Sequence, residues 1–320
     1  MDNKTLANFD DVLKHYFTDK INQQKNALDY IKVRKIREEV FIGALKISRL
    51  IDVPYGTINN WLMGKKTPRA IKGLNQLKSM KLLPLKISDS LEFRHFMRTL
   101  GLRYADGCIY KQSRNNSYTF YICFGDEIDA INFVEDSKKY WDIDLSAKYS
   151  KSANAYYVYL PSSLARLMLV IGSIEGDKTD QIFNLPSWIF GLPDFLKIEF
   201  LRGLFSGDGD NPKLKSLGRA AESLRLSLSS HESIVENFRD SFMREVYYII
   251  KSLGIQATYP DIKYNQPRIS KTGRITYPVN IRILTNKENM INFLENIKYT
   301  YCNRAIIKGN FVLKALKNIH

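Results

Sequence analysis

Thr99-Leu100-Gly101-Leu102-Arg103-Tyr104-Ala105-Asp106-Gly107 is matched further along the chain by Leu201-Arg202-Gly203-Leu204-Phe205-Ser206-Gly207-Asp208-Gly209. Both stretches read Gly-Leu, two variable positions, a small residue and Asp-Gly, and their aspartates stand 102 residues apart. Each closes an apolar run that is predicted to be a helix. A glycine in mid-helix costs roughly 1 kcal/mol relative to alanine, so Gly101 and Gly203 are expected where two helix backbones approach closely. Gly107 and Gly209 are expected to end those helices in the left-handed conformation. Asp106 and Asp208 are the costly residues. A carboxylate at a helix C-terminus meets the negative end of the dipole, and two of them brought together repel. A divalent cation between them removes both penalties, and carboxylates joined by carbonyls and water suit Mg²⁺.

Each motif opens a similar series of elements. After the first helix (Leu91–Tyr104) come a strand at Tyr118–Phe124, a helix opening at Asp126, and strands at Leu145–Ser150 and Tyr156–Leu160. After the second (Asp194–Ser206) come a strand at Ser223–Ser229, a helix near Glu232–Leu253, strands at Ile255–Tyr264 and Ile275–Thr285, and two closing helices. The strands alternate: Val279, Ile281 and Ile283 share one face, with Asn280 and Arg282 on the other, and leucines alternate with Arg225 and Ser227. Such alternation packs one face on helices and leaves the other to solvent or a ligand. The expected architecture is α+β, a unit occurring twice, with halves at 89–190 and 191–320 and a helical domain at 1–88.

Around Ile36–Leu62 the apolar positions fit two short helices broken at Asp52-Val53-Pro54, with Gly64 as a stop before a basic turn holding Lys65 and Lys66. The pattern is that of a helix-turn-helix, with Tyr55, Asn59 and Asn60 expected on the exposed side of its second helix, where Asn can bond adenine in the major groove. An ordinary helical hairpin is the alternative. Residues 1–90 carry 17 Lys+Arg against 9 Asp+Glu, and the other 230 carry 31 against 24. The net charge of +15 favours a polyanionic partner, nucleic acid first. No apolar run approaches the roughly 20 residues of a spanning helix, so a membrane is not expected. Cys108, Cys123 and Cys302 form no framework and fit a reducing, cytoplasmic setting as buried, inert thiols. Four scattered histidines argue against a zinc site, and no glycine-rich phosphate loop or nucleophile elbow occurs.

Over residues 91–320 the paired motifs resemble the LAGLIDADG family of homing endonucleases, in its monomeric two-motif form. The resemblance implies motif helices packed side by side between pseudo-symmetric halves, with Asp106 and Asp208 as catalytic, metal-binding residues. It further implies one curved antiparallel sheet per half along the major groove of double-stranded DNA, and Mg²⁺ (replaceable by Mn²⁺) for phosphodiester hydrolysis on both strands. Arg225 and Arg282 would then face DNA. Tyr104 and Ser206 replace an acidic residue often found earlier in the motif. Family members also place Gln or Lys near the end of the first strand, where this chain has Phe124-Gly125 and Ser229-Ser230. Lys148, Lys213 and Lys215 are the candidates for that basic shell. Two alternatives stay open: a DNA-binding regulator that does not cut, and a maturase that binds intron RNA. A start at Met and the absence of a terminal His-Asn suggest a free-standing protein, not an excised intein, and removal of 1–88 is expected to lower affinity without abolishing cutting.

Overall fold

The computed structural model describes residues 4–17, 21–113, 117–215, 220–269 and 273–318. The chain begins with β1 (Thr5–Ala7), α1 (Phe9–Tyr16), α2 (Ile21–Val40), α3 (Ala44–Leu50), α4 (Tyr55–Leu62), α5 (Arg69–Ser79) and β2 (Leu85–Lys86). Asn8 and Asp11 cap α1 reciprocally, each side chain accepting from the other's backbone N–H. Pro54 opens α4, whose end is turned by Gly64 at φ +70°.

Two apolar cores divide this region, and not at residue 88. Val33, Ile47, Ile51, Val53, Ile58 and Trp61 form a small core within α2–α4. In contrast, Val12 and Leu13 of α1 and Leu74 and Leu77 of α5 belong to the main core. Strand β1 also pairs with β2. Helices α2–α4 are therefore an outlying piece carried between α1 and α5. Deleting 1–88 would therefore also strip buried leucines from the main core, at ~2–5 kcal/mol each.

The first half comprises α6 (Leu91–Ala105), β3 (Gly107–Lys111), β4 (Tyr118–Phe124), α7 (Glu127–Trp141), β5 (Ala147–Ser150), β6 (Ala155–Leu160) and α8 (Ser162–Val170). Its antiparallel sheet has the order β3-β4-β6-β5. In β4 the alternation is complete: Tyr118, Phe120, Ile122 and Phe124 are buried, whereas Thr119, Tyr121 and Cys123 face outward. The second half comprises α9 (Asp194–Asp208), β7 (Leu224–His231), α10 (Val235–Phe238), a π turn at Arg239–Met243, α11 (Arg244–Ser252), β8 (Asp261–Ile262), β9 (Arg268–Ile269), β10 (Ile275–Ile283), α12 (Lys287–Asn296) and α13 (Asn303–Lys317). Here β10 is central, flanked by β7 and β8 and also paired with β9. The strand expected over Ile255–Tyr264 shrinks to two residues plus a bridge between Ala257 and Ile283. Pro260 stands directly before β8 and has no N–H to give a ladder.

Between the halves, α6 lies against α9. A Cβ added to Gly101 would sit 2.1 Å from the Phe200 carbonyl oxygen, and one on Gly203 2.0 Å from that of Arg98. Both glycines are there because backbone meets backbone. A polar seam runs beside them. Arg98 pairs with Asp136 (3.2 Å) and Glu199 (3.0 Å), and Glu199 pairs in turn with Arg202 (2.7 Å). The expected left-handed ends do not form. Gly209 is extended (φ −89°, ψ 145°), and neither it nor Gly107 has positive φ. Gly107 begins β3 directly, and a Cβ there would lie 2.6 Å from Arg103 Cα; at Gly209 it would lie 2.4 Å from the Phe205 carbonyl. Crowding against the helix just ended, not handedness, excludes a side chain at both.

Candidate metal and nucleic-acid site

Asp106 caps the end of α6, its N–H donating to the Leu102 carbonyl (2.9 Å) and its carbonyl accepting from Cys123 (3.1 Å). Asp208 is the last residue of α9. The two helix ends abut closely enough that a Cβ on Gly207 would sit 2.8 Å from Asp106 Oδ2. Both carboxyls are held above their ordinary range, mainly by desolvation. Asp208 is pushed up to about 7; the charge of Asp106 adds to the shift, and Lys178 and Arg268 oppose it. Asp208 Oδ2 is shielded from solvent and accepts no hydrogen bond.

Lys178, which sequence reasoning missed, stands against this pair. Its ammonium donates to the Tyr104 carbonyl (3.0 Å) at the end of α6 and lies 3.8 Å from Asp208 Oδ2. It sits in a short turn (Lys178–Asp180) after α8, with no motif around it. The turn belongs to the first half but is bound to the second. Ser230 Oγ donates to the Thr179 carbonyl (3.4 Å), and Arg274 pairs with Asp177 (3.6 Å) and with Asp180.

None of the three lysines expected as the basic shell lines the cleft that Asp106 shares with Lys178. Lys148 is on the edge strand β5, its ammonium 5.9 Å from the Tyr159 ring centre. Lys213 lines a separate cleft of about 440 Å³ with Asp210, Arg225 and Arg282. Lys215 is held through its backbone to Ala220 (2.8 Å). In β7 and β10, Arg225 stands directly opposite Arg282, and Asp210 binds Arg225 (2.7 Å).

Tyr55 is 51% exposed, but Asn59 and Asn60 are half-buried, since α4 turns part of that face toward its own small core. Lys65 and Lys66 are exposed and close the helix, their N–H groups donating to the Asn60 carbonyl (2.9 and 3.3 Å). The cysteines are half-buried instead of enclosed. Cys108 and Cys123 line a cleft of about 300 Å³ together with Asp106, Tyr121, Tyr157 and Lys178. Burial nevertheless raises the Cys123 and Cys302 thiols, consistent with low reactivity.

Among the described residues no three His, Cys, Asp or Glu side chains converge on one point. The aspartate pair still fits a hard divalent ion: a shielded carboxylate oxygen that accepts no hydrogen bond, beside a second raised carboxyl, is stabilised by further positive charge. The remaining ligands would be carbonyls, water or phosphate oxygens, the usual company of Mg²⁺. Among the described residues no helix is long and apolar enough to cross a membrane.

Residues 196–298 match the family model for the LAGLIDADG-like domain. Among curated proteins, the chain is 25% identical over 281 residues to the DNA-directed RNA polymerase subunit Rpo1N of Methanocaldococcus jannaschii (83% of this chain, 19% of that protein). It is 28% identical over 261 residues to the tRNA-splicing ligase RtcB of the same organism (76% and 26%), and 25% identical over 287 residues to its replication factor C small subunit (84% and 14%). The chain thus spans about a quarter or less of the length of these relatives. Solved structures with similar folds include variants of the homing endonuclease I-DmoI, at 17% identity and a TM-score of 0.40 (64% of this chain, 90% of that one). The homing endonuclease I-WcaI bound to its DNA recognition sequence gives 15% and 0.39 (77% and 92%). The N-terminal LAGLIDADG domain of DUF199/WhiA gives 15% and 0.37 (70% and 90%). The matched segment holds nearly all of the second motif helix together with the sheet and α12 that follow it, and over that segment the chain is similar to a LAGLIDADG-like domain.

Proposed function

We propose that this protein is a site-specific, divalent-metal-dependent DNA endonuclease. The observation that carries the reading is the pair Asp106 and Asp208, at two abutting helix ends, both raised, with Asp208 Oδ2 accepting no hydrogen bond. Asp106 and Asp208 would hold the ion, which when bound would activate water and stabilise charge on the leaving oxygen. Lys178 keeps positive charge beside Asp208 and anchors the end of α6 through the Tyr104 carbonyl. On the second sheet, Arg225, held by Asp210, and Arg282 would contact duplex DNA, phosphates for position and base edges for sequence. In the N-terminal piece, α3 and α4 would act as a helix-turn-helix, with Tyr55, Lys65 and Lys66 as its exposed contacts.

An RNA polymerase subunit, a tRNA ligase and a replication factor share little as activities, yet each is matched over a minor part of its length. That pattern supports a portable segment whose work is its own. The test is cleavage of a plasmid library with Mg²⁺ or Mn²⁺, with wild type beside Asp106→Asn and Asp208→Asn. Recurrent cuts at one long site, lost in both variants, are expected. Tight sequence-specific binding without cuts would replace the proposal with a non-cleaving DNA-binding regulator, the role to which the absence of Gln or Lys at Phe124-Gly125 and Ser229-Ser230 already lends weight.

A further inference from the structure

The two motif helices differ at one buried position. Counting from the shared glycines, Arg103 of α6 answers to Phe205 of α9. Phe205 is wholly buried and rests edge-on against Phe293, with ring centres 5.0 Å apart. Arg103 is equally buried, yet its bonds run to carbonyl oxygens and not to an acid: Nη1 donates to Gly107 (3.0 Å) and Nη2 to Ile174 (2.8 Å). Its Nε has no hydrogen-bond partner. A buried charge without a counter-charge is costly, and Phe205 shows that the position packs without one. The two carbonyls show what the charge holds. Gly107 follows Asp106 and opens β3. Ile174 lies in residues 171–178, a strap that leads from α8 to Lys178. Further bonds stitch this strap to the same corner: the Gly176 N–H donates to the Ile109 carbonyl (2.6 Å), and the Lys178 ammonium to that of Tyr104 (3.0 Å). Gly176 turns at φ +88°, and Gln181 Nε2 closes the turn by donating to the carbonyls of Glu175 (2.6 Å) and Asp177 (2.9 Å).

We infer that Arg103 is a positioning residue, which fixes the strap to the end of α6 and so sets Lys178 against Asp106 and Asp208. A lysine ammonium sits on a flexible four-carbon stem, so it is placed only as well as the backbone that carries it. That backbone begins four residues earlier, at the carbonyl Arg103 grips. A guanidinium is a planar fork with donors in fixed directions. One such group therefore holds two carbonyls from separate segments at a set spacing, which neither an ammonium nor a phenyl ring can do. The same side chain thus ties the residue beside Asp106 to the strap that bears Lys178. The strap occurs once, between the halves, so only one motif helix has it to hold, and the other keeps Phe205. The role rests on the nuclease reading for its effect on cutting, but not for its effect on the strap.

The test uses the full chain. Amide hydrogen exchange without metal, followed by mass spectrometry, would read peptides from residues 171–182 and from α9. Single-turnover cutting with Mg²⁺ at the recurrent site of the plasmid library would read the rate. Arg103→Lys keeps the charge but offers a single donor point, whereas Arg103→Phe imports the residue of α9. Both should speed exchange in the strap by about 10-fold or more while α9 stays protected. Cutting at saturating DNA should slow about 10-fold for Arg103→Lys and about 100-fold for Arg103→Phe, with affinity for the site in EDTA within about twofold of wild type. In a Lys178→Met background, Arg103→Lys should change the rate by less than about twofold, since the two act through one position. Strap exchange equal to wild type in Arg103→Lys, or cutting losses that simply multiply with those of Lys178→Met, would each overturn the positioning role. So would exchange that rises equally in the strap and in α9, the mark of a general loss of stability. If Arg103→Phe does not fold, Arg103→Lys carries the same readouts. Fast strap exchange in the variants with no cutting by wild type would remove the nuclease reading alone.

Discussion

The outer face of the first sheet is aromatic, whereas that of the second sets Arg225 opposite Arg282 and continues along β7 with Ser227 and Ser229. Beneath them the halves agree: leucines, isoleucines and phenylalanines point inward, and each motif helix is notched by a glycine at the same place. A duplicated backbone constrains the buried side of each copy through packing and leaves the outer side free to diverge. Two like charges directly opposite on neighbouring strands cost stability, and so do exposed rings. Each half therefore retains a surface that suits a ligand better than water.

The comparison can be broken most decisively at the motif glycines. Gly101→Val and Gly203→Val should each cost more than about 4 kcal/mol or prevent folding, because the new side chain meets backbone that cannot move. Soluble expression and urea unfolding would check this, and tolerance in only one half would show that the crossing is not symmetric. The helix ends should then separate the halves. The raised Asp208 carboxyl leaves stability unaffected below the unfolded value near 4 and costs it progressively as pH rises to about 7. Asp208→Asn should thus stabilise the metal-free protein at pH 8 by roughly 4 kcal/mol but not at pH 4, with added Mg²⁺ closing the gap. An equal or larger gain from Asp106→Asn would erase the distinction.

A smaller effect is expected at Lys178. Lys178→Met should raise the Asp208 carboxyl further and slow the proposed cutting by about 10- to 100-fold, as loss of a supporting partner at a metal site commonly does; Lys178→Arg should recover part of the rate. Smallest of all, Arg282→Ala should weaken duplex binding a few-fold and lower the salt slope by about 1. An unchanged salt slope would mean that the arginine face of the second sheet does not meet phosphate.

Much of this was legible in the chain. The spacing of Asp106 and Asp208 announces the repeat, and the alternation of β4 and β7 is plain because a strand with one buried face has period two, whereas Asn280 of β10, expected on the outer face, is buried. Asp126 as a helix start and Gly64 as a stop were equally readable. What was hidden depends on partners distant in sequence. Lys178 stands 30 residues before Asp208, in a turn with no periodicity. Strand β3 is five residues, and Gly107 at its head reads locally as the end of a helix. Helix α8 is apolar nearly all round, since α1 and α5 cover it, so it shows no stripe. The tyrosine face was hidden for the same reason. Tyr110, Tyr121 and Tyr159 are scattered residues until register brings them into adjoining rows.

The turn at Lys178–Asp180 gives the molecule a polarity that its repeat conceals. It is encoded with the first half, yet its lysine serves the aspartate of the second and its backbone and acids are gripped by Ser230 and Arg274. Interchangeable modules would place such a residue within one unit. Here a homodimer built from two second halves would lack the lysine altogether, and a hybrid assembled by grafting a foreign first half would inherit whatever residue that donor carried at this point. The seam for any exchange of halves consequently lies after Asp180 and not at the end of α8, and halves that have diverged around one shared lysine can be recombined only as a pair.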